Sequence, residues 1–170
     1  MFEVDEVLEQ AFRYHRWANL QLLDVCARLP AEQLELGASG TYGTIGATWQ
    51  HLLSAEQRYL YRLGGPRPSM NERSRFPGVA GLQRHAGRTG DHLVAAARRI
   101  KRGAAREFTF RDGRFRLSLW VIAVQALHHG NDHRTHICTI LGAHGVDYGE
   151  LDVWAFGDAT GGEQRLGRKS

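Results

Sequence analysis

Leu127-His128-His129-Gly130-Asn131-Asp132-His133-Arg134-Thr135-His136-Ile137 is the stretch on which the reading turns. It lies inside a longer apolar-periodic segment, from about Leu119 to Ala143, which predicts a helix ending near Gly142 and Gly145. Four residues along a helix advance by about 400°, so His129 and His133 stand about 40° apart on one face, one turn from each other. Two imidazoles so placed can converge on one ion, as in any helical HxxxH pair. His136 shares that face, whereas His128 points elsewhere and has Asp132 as its i+4 neighbour. HxxxH pairs are common without a metal, and a site needs at least one further ligand from another segment.

Three helices are expected before this one. From Phe2 to Leu29 the residues Val4, Val7, Leu8, Ala11, Phe12, Trp17, Ala18, Leu22, Val25 and Leu29 recur with helical spacing, and Pro30 stops the run. Glu35 to Gly43, with several Gly and Ser, reads as a loop. A second helix runs from about Thr44, a suitable N-cap, to Leu63, and Gly64-Gly65-Pro66 ends it. After a polar loop from Arg67 to Pro77, the segment Gly78 to Arg102 predicts a third helix, weakened by Gly81, Gly87 and Gly90. Between it and the histidine helix, Glu107–Phe110 and Phe115–Ser118 alternate apolar and polar residues around Arg111-Asp112-Gly113-Arg114, and Asp-Gly there signals a hairpin. The expected fold is all-α: an up-and-down-type four-helix bundle over residues 1–156, with a small β-hairpin before the last long helix. Residues 157–170, rich in glycine and charge, read as a flexible tail.

A chain of 170 residues with 42% hydrophobic and 24% charged residues buries one core, and neither disorder nor membrane insertion is indicated. Met1 to Glu6 is acidic where a signal peptide is basic, so a cytoplasmic location is expected. Cys26 and Cys138 lie in helical apolar patterns and read as buried reduced thiols. The net charge of +4 includes the cluster Arg98-Arg99-Ile100-Lys101-Arg102, but no nucleic-acid motif accompanies it. A basic run at a helix C-terminus complements the helix dipole, so neither nucleic acid nor membrane is expected as a partner.

The third ligand is sought in the second helix. His51 is flanked there by Ala47, Leu52, Leu53 and Ala55, which hold it near the core, and a histidine so placed needs a buried partner. His15, His85, His92 and His144 read as polar side chains, exposed or capping.

Four segments carry a resemblance to a known family. Tyr14-His15-Arg16-Trp17-Ala18-Asn19-Leu20-Gln21-Leu22-Leu23 is similar to the opening helix of the DinB-like family. Gly43 to Glu56 looks like its second helix, which carries the first metal histidine. His129-Gly130-Asn131-Asp132-His133-Arg134 resembles the fourth, whose HG-x-x-HR pattern supplies two more, and Leu151-Asp152-Val153-Trp154-Ala155-Phe156-Gly157 is similar to a closing motif. The matches fall in order and cover most of the chain. The resemblance implies a four-helix bundle, often a homodimer, in which His51, His129 and His133 bind a divalent metal ion at one end. Imidazole ligands accept several first-row metals, zinc or nickel first and iron, cobalt or manganese as alternatives. The position of His136 is commonly glutamine in relatives, and this departure gives His136 a candidate catalytic or pocket role beside the ligands.

Three histidines leave coordination positions open for water or substrate, as in catalytic rather than structural sites. Such an ion lowers the pKa of bound water towards ~7 or holds a thiol as thiolate. The resemblance implies both chemistries: thiol-dependent S-transferases or isomerases with a low-molecular-weight thiol as co-substrate, and metal-dependent hydrolases. A non-catalytic, stress-linked metal-binding protein is the third reading. Asn19, Glu56, Arg134 and His136 are pocket candidates; Glu56 lies off the face of His51, and Arg134 is expected to pair with a carboxylate or close the helix rather than contact substrate.

Overall fold

The structure, a computed structural model, describes residues 4–101, 103–110 and 113–162. Four long helices, α1 (Val4–Ala27), α2 (Ile45–Arg62), α3 (Gly78–Ala97) and α4 (Leu119–Ala143), form the predicted bundle. The strands β1 (Ala105–Phe110) and β2 (Gly113–Ser118) pair antiparallel ahead of α4, with Phe108 opposite Phe115. Arg111 and Asp112 of the expected hairpin turn lie outside the described residues, as do Met1 to Glu3, Arg102 and residues 163–170.

Local chemistry sets the ends of α2. The Thr44 hydroxyl accepts from the Ala47 N–H, satisfying one of the free donors of its first turn. At the other end Gly64, with φ 90°, turns the chain so that the Gly65 N–H reaches the Leu60 carbonyl at 2.9 Å. The third helix is shorter than its sequence suggests. It ends at Ala97, where the chain bends so that Ile100 tucks into the core and Ala104 can bond Leu119 at the start of α4. Two short elements escape the periodicity reading: a 3-10 turn at Ala31–Glu35 directly after Pro30, and α5 (Val153–Thr160). The Asp152 side chain caps α5 by accepting from the Ala155 N–H, and Phe156 packs on Tyr14 and Trp17 of α1. The tail placed from residue 157 therefore begins inside a helix.

Packing gives the direction of each helix. Glu9 meets Arg98 and Asp24 meets Gln83, so α1 and α3 are antiparallel. Cys26 meets Trp49 and His15 meets Glu56, so α2 also runs against α1. One apolar cluster joins Leu22 and Cys26 of α1, Trp49 and Leu53 of α2, Leu82 of α3, and Ile137 and Leu141 of α4. A second joins Phe12, Leu60, Leu93, Ala97, Ile122 and Ala126. Late α1 thus lies beside late α4, and early α2 beside early α3. The directions read up, down, down, up rather than strictly alternating as the up-and-down expectation has it, because the long connection 63–77 carries the chain back so that α3 parallels α2. No described helix is long and apolar enough to cross a membrane. Arg98, first of the basic run, is engaged by Glu9 at 2.6 Å.

Between the two clusters lies a belt of buried polar side chains, among them His15, Asn19, Ser54, Glu56, His133 and Arg134. An apolar core interrupted in this way forfeits hydrophobic stabilisation and demands that every polar group find a partner. Such a belt marks the middle of the bundle as the place to look for chemistry.

Candidate metal centre

His51, His129 and His133 come together at this level, facing one another across α2 and α4. Their nearest ring nitrogens all lie within 4.8 Å of one another, and His51 Nε2 is 3.1 Å from His129 Nε2. An ion with metal–nitrogen distances near 2.0–2.1 Å in tetrahedral array separates its ligand atoms by about 3.3 Å. The set is therefore within a small side-chain adjustment of a three-imidazole site, and it could hold a metal ion. Among the described residues, no other His, Cys, Asp or Glu joins the group.

The electrostatics agree with the donor chemistry. Burial, then the neighbouring imidazoles His133 and His51, push His129 down to about 4; burial, then His51 and His136, push His133 down to about 4. Both rings are thus neutral at pH 7, with lone pairs available, as a metal ligand must be. For the metal-free protein the sign follows. The unfolded chain takes up these protons near pH 6.5 and the folded one only near 4, so stability is full above about 6.5 and is lost as pH falls towards 4. Urea midpoints of chelated protein between pH 7.5 and 4.5 should fall accordingly, and a flat profile would contradict the buried neutral pair.

Two residues that sequence reasoning missed orient His51. Its Nδ1 lies 2.8 Å from the Tyr42 hydroxyl and 3.3 Å from a Glu72 carboxylate oxygen, and the Tyr42 ring stacks on the imidazole at 4.1 Å. With its proton on Nδ1 the ring turns its Nε2 lone pair towards His129, the usual role of an oxygen partner behind a metal-binding histidine. Glu72 is itself held by Arg58 at 3.1 Å. Tyr42 and Glu72 come from loops, where no periodicity betrays which way a side chain faces.

His136 is close without joining. Its Nδ1 is 3.4 Å from His133 Nδ1, so it touches one member of the triad but lies outside the group of three whose nitrogens converge. His128 is exposed and pairs with Asp132 at 3.1 Å, as its spacing predicts. His92 and His144 are exposed as expected, whereas His85 is half-buried against Gln57.

His15 corrects the reading of an exposed or capping side chain: it is 1% exposed. Its Nε2 lies 2.8 Å from a Glu56 carboxylate oxygen, and its Nδ1 lies 3.1 Å from Arg134 Nη1. Asn19 completes the ring, donating to Glu56 at 3.1 Å and accepting from Arg134 at 2.8 Å. Burial is tolerated because three helices supply partners at once, which no single-helix pattern can reveal. Asn19, Glu56 and Arg134 are therefore buried links between α1, α2 and α4 rather than pocket walls.

Gly130 makes this ring possible. A Cβ there would overlap His15 Cε1, lie 2.8 Å from Nδ1 and 3.3 Å from Arg134 Nη1. The glycine between His129 and Asn131 thus lets α4 close on the His15 ring. Gly130→Ala should cost about 1–3 kcal/mol by overpacking, despite the better helix propensity of alanine. A chemical-denaturation midpoint equal to or above wild type would show that His15 has room to yield.

The model of the DinB family matches residues 1–166. No curated protein matches the chain.

Proposed function

The chain belongs to the DinB family, and on that premise we propose that it is a metal-dependent enzyme in which His51, His129 and His133 hold one divalent ion, zinc or nickel first, to activate a low-molecular-weight thiol for transfer to a small electrophile. The carrying observation is the convergence of three imidazoles with no fourth His, Cys, Asp or Glu among the described residues. Bound there, such an ion supplies Lewis acidity that makes a thiolate, or hydroxide, available at neutral pH. Three neutral ligands cancel none of its charge, which favours an anionic sulfur as the incoming ligand.

The chain's own thiols do not suit the part. Cys26 is buried, accepts from Trp49 Nε1 at 3.4 Å, and is pushed up to about 11 by burial; burial pushes Cys138 up to about 11 as well. A thiol nucleophile therefore has to arrive with the substrate. Tyr42 and Glu72 keep the His51 ring in its metal-facing orientation. In this reading His136, half-buried and in contact with His133, exchanges a proton with the incoming substrate.

Hydrolysis is the rival reading, and a stress-linked protein without turnover the second. A homodimer is part of the proposal, supported by Trp120, Val121 and Val124 exposed together at the start of α4. The test is consumption of a low-molecular-weight thiol with a panel of electrophiles, by metal-loaded wild type and by His51→Ala. Thiol consumption should be present in the first and lost in the second. Ester or amide hydrolysis without thiol consumption moves the assignment to hydrolase, and neither activity, with metal bound, leaves a structural role.

A further inference from the structure

A cleft of about 230 Å³ opens between α3 and the connection after α2. Gln57 and Leu60 form its α2 wall, and Gln57 lies about 240° round the helix from His51, so the cleft faces away from the three histidines. Its hydrogen-bonding character is set by Gln57. The Gln57 carbonyl oxygen accepts from the backbone N–H groups of Ser69, at 2.8 Å, and Met70, at 3.2 Å. That orientation leaves the amide NH2 to donate to His85 Nδ1 at 3.1 Å. With Nδ1 accepting, the His85 proton sits on Nε2, and the ring offers the cleft a donor.

The other polar walls donate as well. Arg67 comes from the connection and Arg88 from α3, and Thr89 and His92 line the cleft as well, while the Ser69 hydroxyl donates to the Gln57 carbonyl oxygen at 3.4 Å. Among the described residues neither arginine has a carboxylate partner, and Asp91, one turn from Arg88, is turned to Arg16 at 2.7 Å. Among the described residues no acidic side chain lines the cleft.

We propose that this cleft binds a phosphate group, free or carried as a monoester on a small molecule. Two uncompensated guanidinium groups match the ≈ −1.5 to −2 charge of a phosphate monoester at pH 7, and arginine pairs with phosphate oxygens through two parallel hydrogen bonds. At about 30 Å³ per water, the cleft takes about seven or eight waters, enough for a phosphate with a few carbons. Leu60 supplies an apolar wall for that carbon part.

Inorganic phosphate, glycerol 3-phosphate and acetate, titrated calorimetrically into the full chain at constant ionic strength, test this. Saturable binding of a phosphate compound is expected, with acetate at least about tenfold weaker. Arg67→Gln/Arg88→Gln, two exposed substitutions that leave the core intact, should weaken phosphate at least about tenfold, the loss of charged hydrogen bonds. Tighter binding of glycerol 3-phosphate identifies an ester as the source, and tighter binding of inorganic phosphate the free ion. The proposal is overturned by absence of saturable binding, by acetate binding equally well, or by an unchanged double variant. Loss of binding in His129→Ala overturns it too, since the anion then sits at the metal centre.

Discussion

Replacing His133 with alanine should abolish stoichiometric metal binding while the helical circular dichroism stays close to wild type. His133 is the most buried of the three imidazoles, 8% exposed, and belongs to the helix that carries two of them. Two histidines remain in the variant, too few to retain an ion against chelation. The loss should exceed the roughly 10–100-fold that outer-shell substitutions cost. Elemental analysis after gel filtration reads the stoichiometry, expected near one ion per chain in wild type. Thermal unfolding reads the same loss independently, since a ligand at about 100 times its Kd adds about 2.7 kcal/mol to the folded state. In His133→Ala added metal should no longer raise the midpoint. His128→Ala is the control: its side chain is exposed, bonded to Asp132, and should change neither number. Full stoichiometry in His133→Ala, or equal damage in His128→Ala, would sink the assigned triad.

The fold survives that substitution because metal and core are separate. The two apolar clusters on either side of the belt are built without the triad. This separation also explains what could be read from the sequence. The helical faces are periodic, and Pro30, Thr44 and Gly64 punctuate them, so the starts and ends of α1 and α2 were legible within a few residues. The i, i+4 spacing of His129 and His133 put two imidazoles on one face without any tertiary knowledge. Bringing His51 to them required the resemblance, because register between two helices is a property of packing.

The same limit explains the misses. His15 and Glu56 lie on different helices, 41 residues apart in sequence, and each alone looks like a polar surface residue. Tyr42 and Glu72 reach His51 from irregular segments. The capped helix α5 has its signal in Asp152, whose side chain accepts three residues on, but eight residues without a buried side chain give no periodic face to detect. Departure from the expected length of α3 has a tertiary side as well: beyond Ala97 the chain leaves the helix and Ile100 joins the second apolar cluster, a contact that helical periodicity does not foretell.

Arg134→Met should be the most destabilising single change in the belt, costing about 3–5 kcal/mol in urea unfolding at neutral pH. Arg134 is 4% exposed; burial lowers its pKa, but a guanidinium stays charged in a protein. Opposing that penalty are Tyr14, whose ring lies 5.7 Å from the guanidinium, then Glu56, acting through space, and direct bonds to Asn19 and His15. Removing the cation leaves the Glu56 carboxylate 2% exposed with only His15 and Asn19, and its Oε1 already has no hydrogen-bond partner. A loss of this size is a large part of the 5–15 kcal/mol typical of a domain, so partial unfolding of the single variant is expected. The double variant Arg134→Met/Glu56→Gln keeps the argument testable: with both charges gone it should recover part of the loss, the two substitutions failing to add. Its metal stoichiometry should equal that of wild type, because neither residue belongs to the triad. Additive losses in the double variant, or a cost below about 1 kcal/mol in the single one, would mean that the belt does not hold an ionised pair.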